Sequence, residues 1–231
     1  MEIQKDRGMQ MNLFDILGPV MVGPSSSHTA GAARIGLTAR RLLGEGTPRK
    51  ARITLYGSFA ATGRGHGTDR ALIAGLLGYK PDDERISDSF RWAEGHGLDF
   101  TFEYSKLSAE HPNTARLELV GKSGGTLCVE ACSLGGGRIM VMELNGLRVK
   151  FSGDLPTLIV QNSDRPGMVG KVAGMLAEEK VNIAALQVYR DYPGGKAVMI
   201  VETDKPVPRV VLDHLKQAEG IIAVTAIEGE R

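Results

Sequence analysis

Thr157-Leu158-Ile159-Val160-Gln161-Asn162-Ser163-Asp164-Arg165-Pro166-Gly167-Met168-Val169-Gly170 decides the fold of the C-terminal third of the chain. The apolar run over 157–162 reads as a strand, and Asp164-Arg165-Pro166-Gly167 has the composition of a tight turn. Val169, Val172, Ala173 and Leu176 then recur at the i, i+3, i+4, i+7 spacing of a helix face. Further on, a strand over about 182–190 turns at Tyr192-Pro193-Gly194-Gly195 into the apolar run 197–202. Pro208 opens a second helix with Val211, Leu212, Leu215 and Ala218 inward, Gly220 ends it, and 221–227 is the last strand. The order βαββαβ is the ferredoxin-like arrangement. The domain boundary falls at Ser152-Gly153-Asp154, with Pro156 after it, so this unit spans 156–231.

Upstream the pattern is less periodic. A leader of residues 1–11 precedes a mixed α/β domain over 12–152, which begins with a short helix near residues 13–17. The next helix carries His28, Ala32, Ile35, Ala39 and Leu42 as a stripe and ends near Gly44-Glu45-Gly46. A strand over 52–57 leads into a glycine-rich loop, then into a helix from about Asp69 that stops at Gly78. Strands follow near 99–105, 115–121, 125–133 and 138–144. The fold class is α/β (α+β), a mixed α/β substrate-binding domain followed by a ferredoxin-like module.

Composition sets bounds on function. The 231 residues are 42% hydrophobic and 24% charged with a formal net charge of +1, so nothing points to nucleic acid or a membrane as partner. Glu2, Lys5, Asp6 and Arg7 break up the first residues, which therefore do not read as a signal peptide, and a cytoplasmic location follows by default. Cys128 and Cys132 match no zinc motif and read as small buried residues. Iron–sulfur clusters are held mainly by about three or four thiolates, a set this chain cannot complete alone. No metal site is expected here. The 30 glycines are an excess, concentrated before residue 154.

The chemistry gathers in four short segments: Gly23-Pro24-Ser25-Ser26-Ser27-His28-Thr29, Gly57-Ser58 through Gly65-His66-Gly67-Thr68-Asp69, His111-Pro112-Asn113-Thr114, and Ser133-Leu134-Gly135-Gly136-Gly137. The first lies at a helix start, where free N–H groups and the positive dipole end favour an anion such as a carboxylate. Loops of this kind converging on one cleft would suit a small, polar, anionic metabolite. Rossmann spacing and a phosphate-binding loop are absent, and the Gly-x-Ser-x-Gly string at Gly121-Lys122-Ser123-Gly124-Gly125 joins two strands instead of the strand and helix of a nucleophile elbow. His66, between two glycines, reads as the ligand-facing imidazole, whereas His28 lies on the apolar stripe and serves either the site or the core.

Two resemblances sharpen this reading. Asp164-Arg165-Pro166-Gly167-Met168-Val169-Gly170, followed by Val181-Asn182-Ile183, resembles the ACT domain, a regulatory fold that often binds amino acids and pairs between subunits. That resemblance implies a ligand site at Asn162, Asp164, Gly167 and Gly170, and self-association through this module. Gly23 to Thr29, Gly65-His66-Gly67-Thr68-Asp69 and His111-Pro112-Asn113-Thr114 resemble the β subunit of the two-chain, iron–sulfur-dependent L-serine dehydratase. This second resemblance covers all but the first eleven residues. It implies deamination of L-serine to pyruvate and ammonia in complex with an α subunit that carries a [4Fe-4S] cluster. The residues expected to hold the substrate carboxylate are Ser25, Ser26, Ser27 and Thr29, with Asn113 and Thr114 completing the wall; His66, with His28 and Ser26, is expected to handle protons. The competing expectation is a purely regulatory subunit, since similar α/β and ACT modules occur together in metabolic dehydrogenases.

Overall fold

The computed structural model describes residues 20–229; the leader 1–11 and the helix expected near 13–17 lie outside the described residues. One turn of π-helix, Ser26–Gly31, runs directly into helix α1, Ala32–Leu43. Then come β1 (Lys50–Leu55), α2 (Gly57–His66), α3 (Thr68–Leu77), a 3₁₀ turn (Glu84–Asp88), α4 (Ser89–Gly95) and β2 (Asp99–Tyr104). Strands β3 (Thr114–Val120), β4 (Thr126–Gly135), β5 (Arg138–Leu144) and β6 (Leu147–Phe151) complete a sheet of order β2-β1-β3-β4-β5-β6. Strand β1 is parallel to β2, which requires the helical crossover between them, and every other pair is antiparallel.

The sheet is two-faced because side chains alternate along each strand. Ala51, Ile53, Leu55, Leu117, Leu119 and Val129 are buried beneath the helices. The opposite face carries charge, with Arg52 2.9 Å from Glu103 and Arg116 2.9 Å from Glu143. Helices α1 and α3 cross backbone to backbone: a Cβ on Gly36 would lie 2.2 Å from the Leu72 carbonyl oxygen, and one on Gly75 2.0 Å from that of Ala33. Only glycine permits this approach.

The segment expected as a glycine loop is instead helix α2. Phe59 anchors it, being fully buried, and Ser58 N–H donates to the Pro112 carbonyl at 2.7 Å. Tertiary packing thus overrides the low helix propensity of its glycines. The 3₁₀ turn, α4 and β6 are further elements beyond the sequence reading.

In the C-terminal module, β7 (Thr157–Ser163), α5 (Met168–Glu178), β8 (Ile183–Arg190), β9 (Lys196–Thr203), α6 (Arg209–Gln217) and β10 (Ile221–Ile227) form a sheet of order β10-β7-β9-β8. This is the βαββαβ arrangement expected. Leu158, Val160, Met199 and Val201 pack against Val172, Leu176, Val211 and Leu215 of the two helices. One detail differs: Met168 is the buried first residue of the α5 stripe, and Val169 is 42% exposed. The helix starts at Met168, so 168, 172 and 176 share the inward face. The other face of this sheet is covered too. Ile159, Val198, Ile200 and Ile227 join the hydrophobic core of the N-terminal domain. Arg34 of α1 ties the linker down by donating to Asp154 at 2.7 Å and to the Gly137 carbonyl at 3.1 Å.

Candidate active site

The four polar segments meet around the π-turn. Ser25 caps it in extended conformation, its hydroxyl accepting from His28 N–H at 3.2 Å. Ser26 faces the glycine triplet, its hydroxyl accepting from Gly136 N–H at 3.3 Å. Ser27 Oγ is 3.4 Å from where a Cβ on Gly135 would stand. All three serines are half-buried, so the turn opens to solvent. Ser133, fully buried, lies behind it: a Cβ on Gly31 would come within 2.0 Å of Ser133 Oγ, so the last residue of the π-turn must be glycine. Turns of this type are often found at functional sites.

His28 and His66 stand together, ring centroids 4.9 Å apart. The His28 and Phe59 rings pack edge to face with centroids 5.2 Å apart, and His28 Nε2 lies 3.1 Å from Thr62 Oγ1 and 3.2 Å from Ser58 Oγ. Burial, and after it the charge His66 can carry, lower the His28 pKa below the ordinary 6.5. His66 Nδ1 is 3.1 Å from the Thr62 carbonyl, one turn earlier on α2. A carbonyl only accepts, so Nδ1 carries the hydrogen and Nε2 is the basic nitrogen of His66.

The remaining candidates divide. Thr29 is buried, donating to the His66 carbonyl at 3.2 Å, and so joins the π-turn to the end of α2. Thr114 is fully buried and donates to the His111 carbonyl at 2.6 Å. Asn113 is half-buried; its amide reaches the Ser133 carbonyl at 3.5 Å, and its Oδ1 is buried without a protein partner. A cleft of about 460 Å³ is lined by Gly23, Pro24, Thr29, Arg64, His66 and Asp69; of the candidate residues, Thr29 and His66 reach it, and Ser25 to His28, Asn113 and Thr114 do not. Thr62 is the residue the sequence reading missed. Its signal is Ser58, Thr62 and His66 at i, i+4, i+8, one face of a helix, which is visible only once 57–66 is known to be helical.

In the C-terminal module, Asn162 is buried and donates to the Ser163 carbonyl at 2.7 Å, while its Oδ1 has no protein partner. Asp164 accepts from Gly194 N–H at 2.9 Å and from Arg190 at 3.2 Å, bracing the β8–β9 turn. Gly167 precedes α5 and Gly170 lies exposed on it. Among the described residues no group of three or more His, Cys, Asp or Glu side chains could hold a metal ion. Nor is any helix among them long and apolar enough to cross a membrane.

Comparison with known proteins bears directly on this arrangement. Residues 12–95 match the family described as serine dehydratase beta chain, and residues 157–220 match the ACT domain. A Bacillus subtilis protein named "Probable L-serine dehydratase, beta chain" is 43% identical over 216 residues, spanning 94% of this chain and 97% of its own. The chain belongs to the L-serine dehydratase beta chain family. The L-serine dehydratase beta chain of Peptoniphilus asaccharolyticus is 37% identical over 84% of this beta chain and 87% of its own length. A D-3-phosphoglycerate dehydrogenase of Archaeoglobus fulgidus is 28% identical over 85% of this beta chain and 37% of that protein.

Proposed function

We propose that this beta chain acts with a separate alpha chain to deaminate L-serine, contributing the carboxylate-binding wall and proton-handling groups. The reaction removes the Cα proton and the Cβ hydroxyl as water; the resulting aminoacrylate tautomerises and takes up water to give pyruvate and ammonia. The reading rests on one observation: the hydroxyl-rich π-turn carries His28 against His66, and His66 and Thr29 line an open cleft. In this reading Ser25, Ser26 and Ser27 orient the carboxylate through hydroxyls and free N–H groups. The lone pair on His66 Nε2 exchanges a proton with the substrate, and His28 is its neutral neighbour. Asn113 completes the wall from behind, its amide on the Ser133 carbonyl. Thr29 and Thr114 support it from behind.

The [4Fe-4S] cluster implied by the family does not fit this chain. Two thiols cannot supply a four-thiolate set, and burial raises the pKa of both Cys128 and Cys132, which favours the protonated thiol. We assign the cluster to the alpha chain and route no step through it here. The asparagine-to-glycine stretch 162–170 is proposed as the amino-acid site of the ACT domain, and that domain as the place where copies of the assembly join.

The test is anaerobic co-expression with the alpha chain and a pyruvate assay on L-serine, D-serine and L-threonine. Full activity of the alpha chain alone would overturn the proposal. That result would favour a regulatory subunit, a reading supported by the similarity to a D-3-phosphoglycerate dehydrogenase over 85% of this chain.

A further inference from the structure

We infer that Thr62 is a positioning residue that fixes the tautomer of His28, keeping the hydrogen on Nε2 and leaving Nδ1 as the basic ring nitrogen. The inference deepens the proposed function, because it concerns one of the two imidazoles of that site. The argument begins in helix α2. Thr62 Oγ1 lies 3.0 Å from the Ser58 carbonyl, four residues earlier. A carbonyl oxygen cannot donate, so Thr62 is the donor in that bond, and we place its hydroxyl hydrogen there. What Thr62 Oγ1 presents to His28 Nε2, 3.1 Å away, is a lone pair, and the imidazole nitrogen facing it must carry the hydrogen. Ser58 Oγ, 3.2 Å from the same nitrogen and free to rotate its own hydrogen away, adds a second acceptor. His28 Nδ1 has no hydrogen-bond partner among the described residues.

Thr62 therefore serves both rings by separate atoms. Its carbonyl holds His66 Nδ1–H at 3.1 Å, and its hydroxyl holds His28 Nε2–H. The two histidines emerge as opposite tautomers, His66 basic at Nε2 and His28 basic at Nδ1, with Thr62 bonded to both and Ser58 assisting at His28. The arrangement requires a hydroxyl at position 62 on a helix, where the i−4 carbonyl is always at hand.

Two-bond ¹H–¹⁵N correlation spectra of the full chain labelled in histidine read the tautomer directly, with His28→Gln assigning the signals. The expected wild-type pattern is a protonated Nε2 and an unprotonated Nδ1 for His28. In Thr62→Val the groups left beside the His28 ring belong to Ser58, its backbone carbonyl and its hydroxyl; the hydroxyl can donate as well as accept, and the two nitrogen shifts should move toward each other as tautomers mix. Thr62→Ser should restore the wild-type pattern. In complex with the alpha chain, Thr62→Val should lower kcat about tenfold at nearly constant KM, with recovery in Thr62→Ser. A wild-type His28 protonated on Nδ1, or a Thr62→Val spectrum identical to wild type, overturns the inference. Spectra that follow Thr62 while kcat does not would support the tautomer assignment and count against a catalytic part for His28, which separates this inference from the reading beneath it.

Discussion

His28 and His66 approach from different elements, one on the π-turn and one at the end of α2, and their rings stand 4.9 Å apart with planes tilted by 42°. At that distance charging both imidazoles is costly, and the less solvated His28 gives way.

Stability should therefore fall in mildly acidic solution. Folded His28 is harder to protonate than its unfolded form, whose value is the ordinary 6.5. Between that value and the lower folded one the unfolded chain binds more protons, so stability present above pH 6.5 declines as pH drops through the window. Denaturant titrations at several pH values should show this slope, and His28→Gln should flatten it. An unchanged slope in the variant assigns the effect to other groups.

Replacing His66 by Ala should lower turnover of the reconstituted enzyme by about 10²–10⁴-fold. The complex with the alpha chain should survive, as judged by co-purification. Near-normal turnover rules out a proton-handling role.

The crossing of α1 and α3 should tolerate no added methyl. Gly75→Ala places a Cβ 2.0 Å from the Ala33 carbonyl oxygen, and backbone cannot step aside as a flexible side chain does. A loss of about 1–3 kcal/mol is expected, read as a lowered Tm. A control at exposed Gly65, where a Cβ meets nothing within 4 Å, should change Tm far less.

The Arg34–Asp154 pair, at 13% and 22% side-chain exposure, lies in the regime where an ion pair carries measurable energy. A double-mutant cycle of Arg34→Ala and Asp154→Ala should return a coupling of about 0.5–3 kcal/mol. Additive single effects would reduce the contact to a surface decoration.

The ACT half was legible because periodicity and turn chemistry agree there: the strand at 157, the Pro166-Gly167 turn and the Val172–Leu176 stripe all point one way. Val169 misled because a helix starting one residue earlier turns Met168 inward instead. The Gly57–His66 helix was hidden for a different reason. Its glycines lower local propensity, and what holds it is Phe59 in the core and Pro112 in the loop before β3, contacts distant in sequence. Hiding the helix hid the spacing of Ser58, Thr62 and His66, and with it the residue between the imidazoles. The clustering of the four polar segments was readable from their shared composition, whereas the split among them, Thr29 and Thr114 inside and Ser25 to His28 toward solvent, depends on helix phase and strand register.

Ile159, Val198, Ile200 and Ile227 give the two halves a common interior. Cutting the chain after residue 152 would uncover Leu42 and its neighbours, so the truncated piece should be sticky and weakly folded. A deletion meant to isolate the N-terminal domain would instead remove part of its scaffold, and point changes on the far edge of the small sheet are the sounder route to probing the ACT domain by itself.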